Sequence, residues 1–387
     1  MSEVEQSRRN TPDELPPALS RRRVCVRTLI LRGLALAAIA AAVGAAVALL
    51  AFPAGIGTQL AVPRYAVPQS TVNPPVEQIA AKVLPSVVTL KIDLGGGEVQ
   101  EGSGIILTSD GLIMTNNHVV AVAADAPQDS VNTLVTFNDG RTAPFNVVAT
   151  DTTSDIGVVR AEGISGLVPI SFGSSADLRV GQPVAAVGSP LGLTATVTVG
   201  IVSALNRPVF DGADGNIQSA AFDAIQTDAA LNPGNSGGAL VDMNGELIGM
   251  NSATASLGSL GEVGNAQSGS IGIGFAIPVD HAARIVNELI ATGTASHAWL
   301  GAQLGTETDT EGARIVGVTN GSPAAAAGLP NGALVTKVDD QVIQNAGALW
   351  AAVQSQAPGA RVTMGFIDPS GDLRTVLVTL GTDQGKR

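Results

Sequence analysis

From residue 86 to about residue 277 short apolar runs alternate with polar breaks, and the breaks carry turn chemistry: Asp110-Gly111, Asn138-Asp139-Gly140, Asp214-Gly215 and Asn244-Gly245. This rhythm predicts many short strands joined by tight turns, the pattern of a barrel. Before it, residues 76–84 read as a short helix stopped by Pro85. After Pro278 the period changes, with Val279, Ala282, Ala283, Val286, Leu289 and Ile290 at helical spacing and Gly293 as the stop. A second unit begins near His297. Its expected elements are a strand over 313–319, a short helix at Ser322-Pro323-Ala324-Ala325, a strand over 333–338, a helix over 346–354, and strands over 361–367 and 373–380. Residues 206–219 and 255–270 are longer, Gly-rich and polar, and read as mobile loops.

The amino-terminal end obeys a different pattern. Residues 33–52 form an uncharged apolar run of 20, which as a helix matches a hydrocarbon core about 30 Å thick. Residues 1–32 hold seven Arg against four acids, so the head is expected to stay in the cytoplasm, with all later residues outside. A cleaved signal peptide is the competing reading. The long run, the long basic flank and the absence of a small-x-small site at Ala61-Val62-Pro63-Arg64 favour an uncleaved anchor. Residues 53–75, with repeated Pro, read as an extended tether. The expected divisions are thus 1–32, 33–52, 53–75, a barrel domain over 76–296 and a smaller domain over 297–382.

Charge and cysteine narrow the picture. The net charge is −12 despite the basic head, so the outer body is acidic and nucleic acid is not an expected partner. The single cysteine, Cys25, lies in the head and can form no intramolecular disulfide, leaving the outer domains to core packing alone. Gly269, Gly272 and Gly274 have no lysine nearby and do not make a nucleotide loop. No metal-ligand spacing is present, and no cofactor is expected.

The candidate chemistry centres on Gly234-Asn235-Ser236-Gly237-Gly238, a serine between residues with little side chain to obstruct approach. The backbone N–H groups of Gly234 and Ser236 could converge on a developing oxyanion. A serine hydroxyl needs a base, and His118, one of three histidines, follows an apolar run that ends at Thr115. Asp155 opens another apolar run and supplies an orienting acid. His281 and His297 are expected at the surface. The order His, Asp, Ser is that of the chymotrypsin-like double barrel. Gly234–Gly238 also matches the Gly-x-Ser-x-Gly elbow of α/β-hydrolases, with Asp242 and His281 as later partners. The two apolar runs about Asn244-Gly245 predict a hairpin instead of the helix that elbow needs.

Thr115-Asn116-Asn117-His118-Val119-Val120, Ser154-Asp155-Ile156-Gly157, Gln226-Thr227-Asp228-Ala229-Ala230 and the Ser236 motif together resemble the signatures of the HtrA (Deg) serine proteases. The resemblance runs from about residue 76 to about 380. It implies a mainly β, chymotrypsin-like double barrel followed by one PDZ domain of α+β type, in a trimer. It implies an ATP-independent endopeptidase acting on misfolded exported proteins, with catalytic His118, Asp155 and Ser236. The barrel's primary pocket would be lined by Ala230, Leu231, Ile273 and Phe275, favouring small or medium aliphatic side chains, whereas Asp228 resembles a structural residue of the family. Trp299, Leu300, Gly301 and Ala302 match the loop with which a PDZ domain takes a C-terminal carboxylate. The alternative function is a chaperone or scaffold that holds clients through this groove with little hydrolysis.

Overall fold

The computed structural model describes residues 75–127, 131–189, 196–210, 221–253, 270, 272–305 and 311–383, all within one compact unit, Thr71–Arg387. The expected membrane segment and tether, residues 211–219 of the first long loop and most of the second lie outside the described residues. Among those described, no helix is long and apolar enough to cross a membrane.

Helix α1 (Val76–Val83) buries Ile79 and Val83, and its Lys82 donates to the Asn244 carbonyl at 2.7 Å. The first sheet contains β1 (Val87–Gly95), β2 (Glu98–Ile106), β3 (Leu112–Thr115), β4 (Asn132–Thr136), β5 (Thr142–Ala143), β6 (Phe145–Asp151) and β7 (Ile156–Ala161) in the order β5-β4-β1-β2-β3-β7-β6. The second is a closed barrel of β8 (Pro183–Gly188), β9 (Thr196–Phe210), β10 (Ala221–Thr227), β11 (Ala239–Val241), β12 (Leu247–Ser252) and β13 (Gly274–Pro278). Each has its own interior, with Leu90, Ile92, Ile113 and Phe145 in the first and Val184, Val202, Ile225 and Leu240 in the second. A third apolar cluster, including Ile105, Met114, Val158, Val187, Met250 and Ile285, joins the two halves.

Asn244-Gly245 forms the expected hairpin between β11 and β12. Gly245 takes φ 71°, and the Asp242 carboxylate accepts from the N–H groups of Asn244 and Glu246. The chain after Ser236 is therefore a strand pair, which removes the hydrolase-elbow alternative. Helix α2 (Asn117–Asp125) is a departure from the sequence pattern, which ends a strand at Thr115 without starting a helix. Val119 and Val120 drive it, because both are buried in the first interior.

Helix α3 (Val279–Thr292) ends at Gly293, whose φ of 76° lets its N–H return to the Leu289 carbonyl. The carboxyl-terminal part adds β14 (Ala298–Trp299), β15 (Ala302–Leu304), β16 (Ala313–Val318), α4 (Pro323–Ala326), β17 (Leu334–Val338), β18 (Gln341–Val342), α5 (Ala346–Gln354), β19 (Arg361–Ile367), β20 (Leu373–Thr379) and β21 (Gly381–Thr382). Its main sheet runs β15-β16-β17-β19-β20 around a separate core that includes Ile315, Val335, Leu349 and Met364. Helix α5 covers this core with one face and packs against β9 and β10 with the other.

His281 and His297 depart from the expected surface position: each is only 8% exposed. The apolar spacing of α3 accounts for one buried stripe, against the barrels. His281 lies beside it, where the carboxyl-terminal part supplies a second covering.

Candidate active site

Asp155 sits in the turn between β6 and β7 with φ 52°, a left-handed conformation uncommon outside glycine. Asn116 and Asn117 hold that backbone by donating a side-chain and a main-chain N–H to its carbonyl, at 3.0 and 3.1 Å. The carboxylate is 1% exposed and faces the start of α2. Its Oδ1 accepts the His118 main-chain N–H at 3.0 Å, and its two oxygens lie 3.0 and 2.9 Å from His118 Nδ1. A carboxylate oxygen only accepts, so His118 Nδ1 is the donor of this pair.

Ser236 comes from the other half of the molecule, on the loop before β11. Gly237, with φ 82°, lies so close to β2 that an added Cβ would meet the Ser103 carbonyl at 2.2 Å and Thr115 Oγ1 at 2.4 Å. Only glycine permits both that dihedral and that approach. Ser103 clamps the loop: its N–H donates to the Ser236 carbonyl at 2.8 Å and its hydroxyl to the Gly234 carbonyl at 2.6 Å. Thr115 donates to the Ser103 carbonyl at 2.7 Å, and three residues further along the chain is His118. The end of β3 thus joins the serine loop to the His–Asp pair. Ser236 Oγ accepts from the Ala253 N–H at 3.0 Å, which leaves its own hydrogen to be given.

The N–H groups of Asn235, Gly237 and Gly238 donate to the carbonyls of Asn232, Asn251 and Asn235. Those of Gly234 and Ser236 have no acceptor among the described residues. The two idle donors thus flank the engaged N–H of Asn235, and a pair of uncommitted N–H groups of this kind is what a developing oxyanion requires.

The other singled-out residues are more dispersed. Leu231 is buried against Gly274 in the second barrel's interior, whereas Phe275 belongs to the cluster between the halves. Ala230 is partly exposed, and Ile273 is 40% exposed. Asp228 accepts the Ile201 N–H at 2.7 Å and so fastens β9. Trp299 ends β14, Leu300 is buried, and Gly301 takes φ 74° over Ser322, where a Cβ would come within 2.2 Å. Ala302 opens β15, the outermost strand of its sheet. Ser103 was not legible as a site residue. Its one sequence signal is a polar residue between Gly102 and Gly104 in an apolar strand. Among the described residues, no group of three or more His, Cys, Asp or Glu could hold a metal ion.

A chymotrypsin-like fold with an acid-oriented histidine and a serine in a tight glycine-flanked turn defines a trypsin-like serine endopeptidase. The family model for the trypsin-like peptidase domain matches residues 102–250. The serine protease PepD of Mycobacterium tuberculosis is 57% identical over 376 residues, covering 95% of this chain and 80% of that protein. A probable periplasmic serine endoprotease, DegP-like, of Halomonas elongata is 37% identical over 72% of this chain, which spans 56% of that relative's length. Among solved structures, the HtrA-type protease AlgW with a tripeptide is 30% identical and superposes with a TM-score of 0.56, covering 80% of this chain and 97% of that one. The chain belongs to the HtrA family of serine proteases.

Proposed function

We propose that this protease is a membrane-anchored, ATP-independent endopeptidase that cuts exposed segments of misfolded exported polypeptides. Ser236 attacks the scissile carbonyl, His118 takes the hydroxyl proton and returns it to the leaving amine, and Asp155 fixes the ring and steadies the imidazolium. Gly234 and Ser236 N–H groups receive the oxyanion, and of the four expected pocket residues the two open to solvent, Ala230 and Ile273, favour a small or medium aliphatic residue. The observation that carries this reading is the Asp155 carboxylate 2.9 Å from His118 Nδ1, on the strand end that also holds the serine loop.

The carboxyl-terminal part, residues 297–382, acts in this reading as a PDZ domain that takes C-terminal peptides at Trp299–Ala302. Its support is β15, an edge strand that pairs only with β16 among the described residues and could accept a peptide strand on its other side. Residues 33–52 anchor the chain with residues 76–387 outside, and three copies form the working particle.

Sealed vesicles carrying the full chain with its outer part facing the medium should digest an added unfolded polypeptide. The Ser236→Ala chain should lose about 10⁴-fold or more of that rate. Equal rates would remove Ser236 from the mechanism, and digestion by inverted vesicles alone would reverse the topology. Retention of the polypeptide without cleavage by the wild-type chain would favour the holding function.

A further inference from the structure

We propose that His281 is a positioning residue for the catalytic acid, through which helix α5 of the carboxyl-terminal part sets the geometry of the Asp155 turn. The inference rests on the assignment of Asp155 as the catalytic acid.

The His281 ring lies between two elements far apart in the chain. Its Nδ1 is 3.3 Å from the carbonyl of Ser355, the residue that caps the end of α5. Its Nε2 is 3.0 Å from Ser154 Oγ. A carbonyl only accepts, so Nδ1 carries the hydrogen, and Nε2 accepts the Ser154 hydroxyl. The chain of donors therefore has one direction, from Ser154 through the imidazole to Ser355. Burial, with the nearby Arg284 charge, holds the His281 pKa down to about 4, so the ring keeps this neutral form at neutral pH.

Ser154 is the residue immediately before Asp155, whose φ of 52° must be imposed by its surroundings. The same turn is gripped again at its start. Asp151 accepts the Ser154 N–H at 2.8 Å with one oxygen and meets His297 Nε2 at 2.8 Å with the other. Desolvation acts to raise the Asp151 pKa, but the hydrogen bond and charge of His297, with Ser154, hold it below the ordinary carboxylate range. The α5 cap is itself fixed to the second barrel, where Ser355 Oγ accepts the Asp223 N–H at 2.9 Å. Gln341 donates to the Asp223 carboxylate at 3.0 Å. A displacement of α5 would change the Ser355–His281 bond, release the Ser154 hydroxyl and remove one of the restraints on the Asp155 turn.

The test uses the full chain, with kcat and KM for a chromogenic peptide measured beside the melting temperature. His281→Phe keeps the ring bulk and removes both hydrogen bonds, and should lower kcat roughly tenfold with KM little changed. Ser154→Ala should produce a similar loss, and the double variant should lose no more than either single one. His281→Gln, which can still accept from Ser154, should recover much of kcat. The low-field proton resonance of His118 Nδ1 should shift in His281→Phe and return toward its wild-type position in His281→Gln. Unchanged kcat and resonance with only a lower melting temperature would reduce His281 to interface filling and overturn the proposal. Losses that multiply in the double variant would overturn it as well. If Ser236→Ala is inactive while His281→Phe and Ser154→Ala keep wild-type kcat, this inference alone fails. If Ser236→Ala stays active, the underlying triad assignment fails first.

Discussion

Ser103 shows how little of a catalytic centre need be chemistry. It is fully buried, grips the carbonyls of Gly234 and Ser236, and accepts the Ser189 N–H on its hydroxyl at 2.8 Å. With both carbonyls held, the dihedrals on either side of Asn235 have little freedom, and the two idle N–H groups keep their direction. Ser103→Ala removes both hydrogen bonds of the buried hydroxyl, the one given to the Gly234 carbonyl and the one taken from the Ser189 N–H, at a cost of about 1–3 kcal/mol. If that cost falls on the oxyanion geometry, kcat should drop roughly 10- to 100-fold with KM nearly constant. Steady-state kinetics on the purified full chain check this, and an unchanged kcat would mean the clamp is dispensable. His118, Asp155 and Ser236 could be singled out as candidates from sequence because each sits in a short segment with its own local chemistry. Ser103 and His281 could not. Their partners lie 131 and 127 residues away, and nothing local announces them before the halves are packed.

At the scale of elements, the strands were largely legible because period-two burial and Gly turns are local properties, whereas α2 depends on tertiary burial of Val119 and Val120. Helix α5 was placed at its observed bounds, but its role as a seam was not read from Ala346-Gly347-Ala348-Leu349. A helix apolar on all sides is one that must be covered on all sides, and this was the available signal. The seam contains two buried ionisable groups with opposite preferences. Desolvation raises the Asp223 pKa to about 7, against the hydrogen bond from Gln341, which lowers it. Protonated Asp223 therefore favours the folded state, and that contribution is lost as pH rises from about 4 to 7. His281, lowered to about 4, contributes above about pH 6.5 and loses its contribution as pH falls toward 4. Asp223→Asn should remove the first dependence. The variant's stability relative to wild type should be higher at about pH 8 than at about pH 5 in denaturant titrations. An identical difference at both values would show that Asp223 does not titrate in this interval.

For the molecule as a whole, the carboxyl-terminal strands and helices that enclose their own core were legible element by element. How the parts are joined was not, since the joints are single polar residues such as His281, Ser355 and Gln341. Assembly is a separate matter. The link between β1 and β2 is a tight turn in which Gly95, Gly96 and Gly97 all have positive φ, so this position offers no long arm for building a closed cage. A trimer is the expected particle. Sedimentation of the full chain in detergent at micromolar concentration should show three copies, and a monomer alone would exclude that assembly.

The Gly237 contact with Ser103 and Thr115 has a thermal consequence. The Ser236 loop is borne by one half of the molecule and clamped by the other, across a gap too narrow for a single methyl group. Warming that loosens this junction would silence the enzyme while both sheets stay intact, and cooling would restore it without refolding either. The expected result is a heat-inactivation midpoint below the melting midpoint when both are measured on the full chain, and coincident midpoints would exclude this.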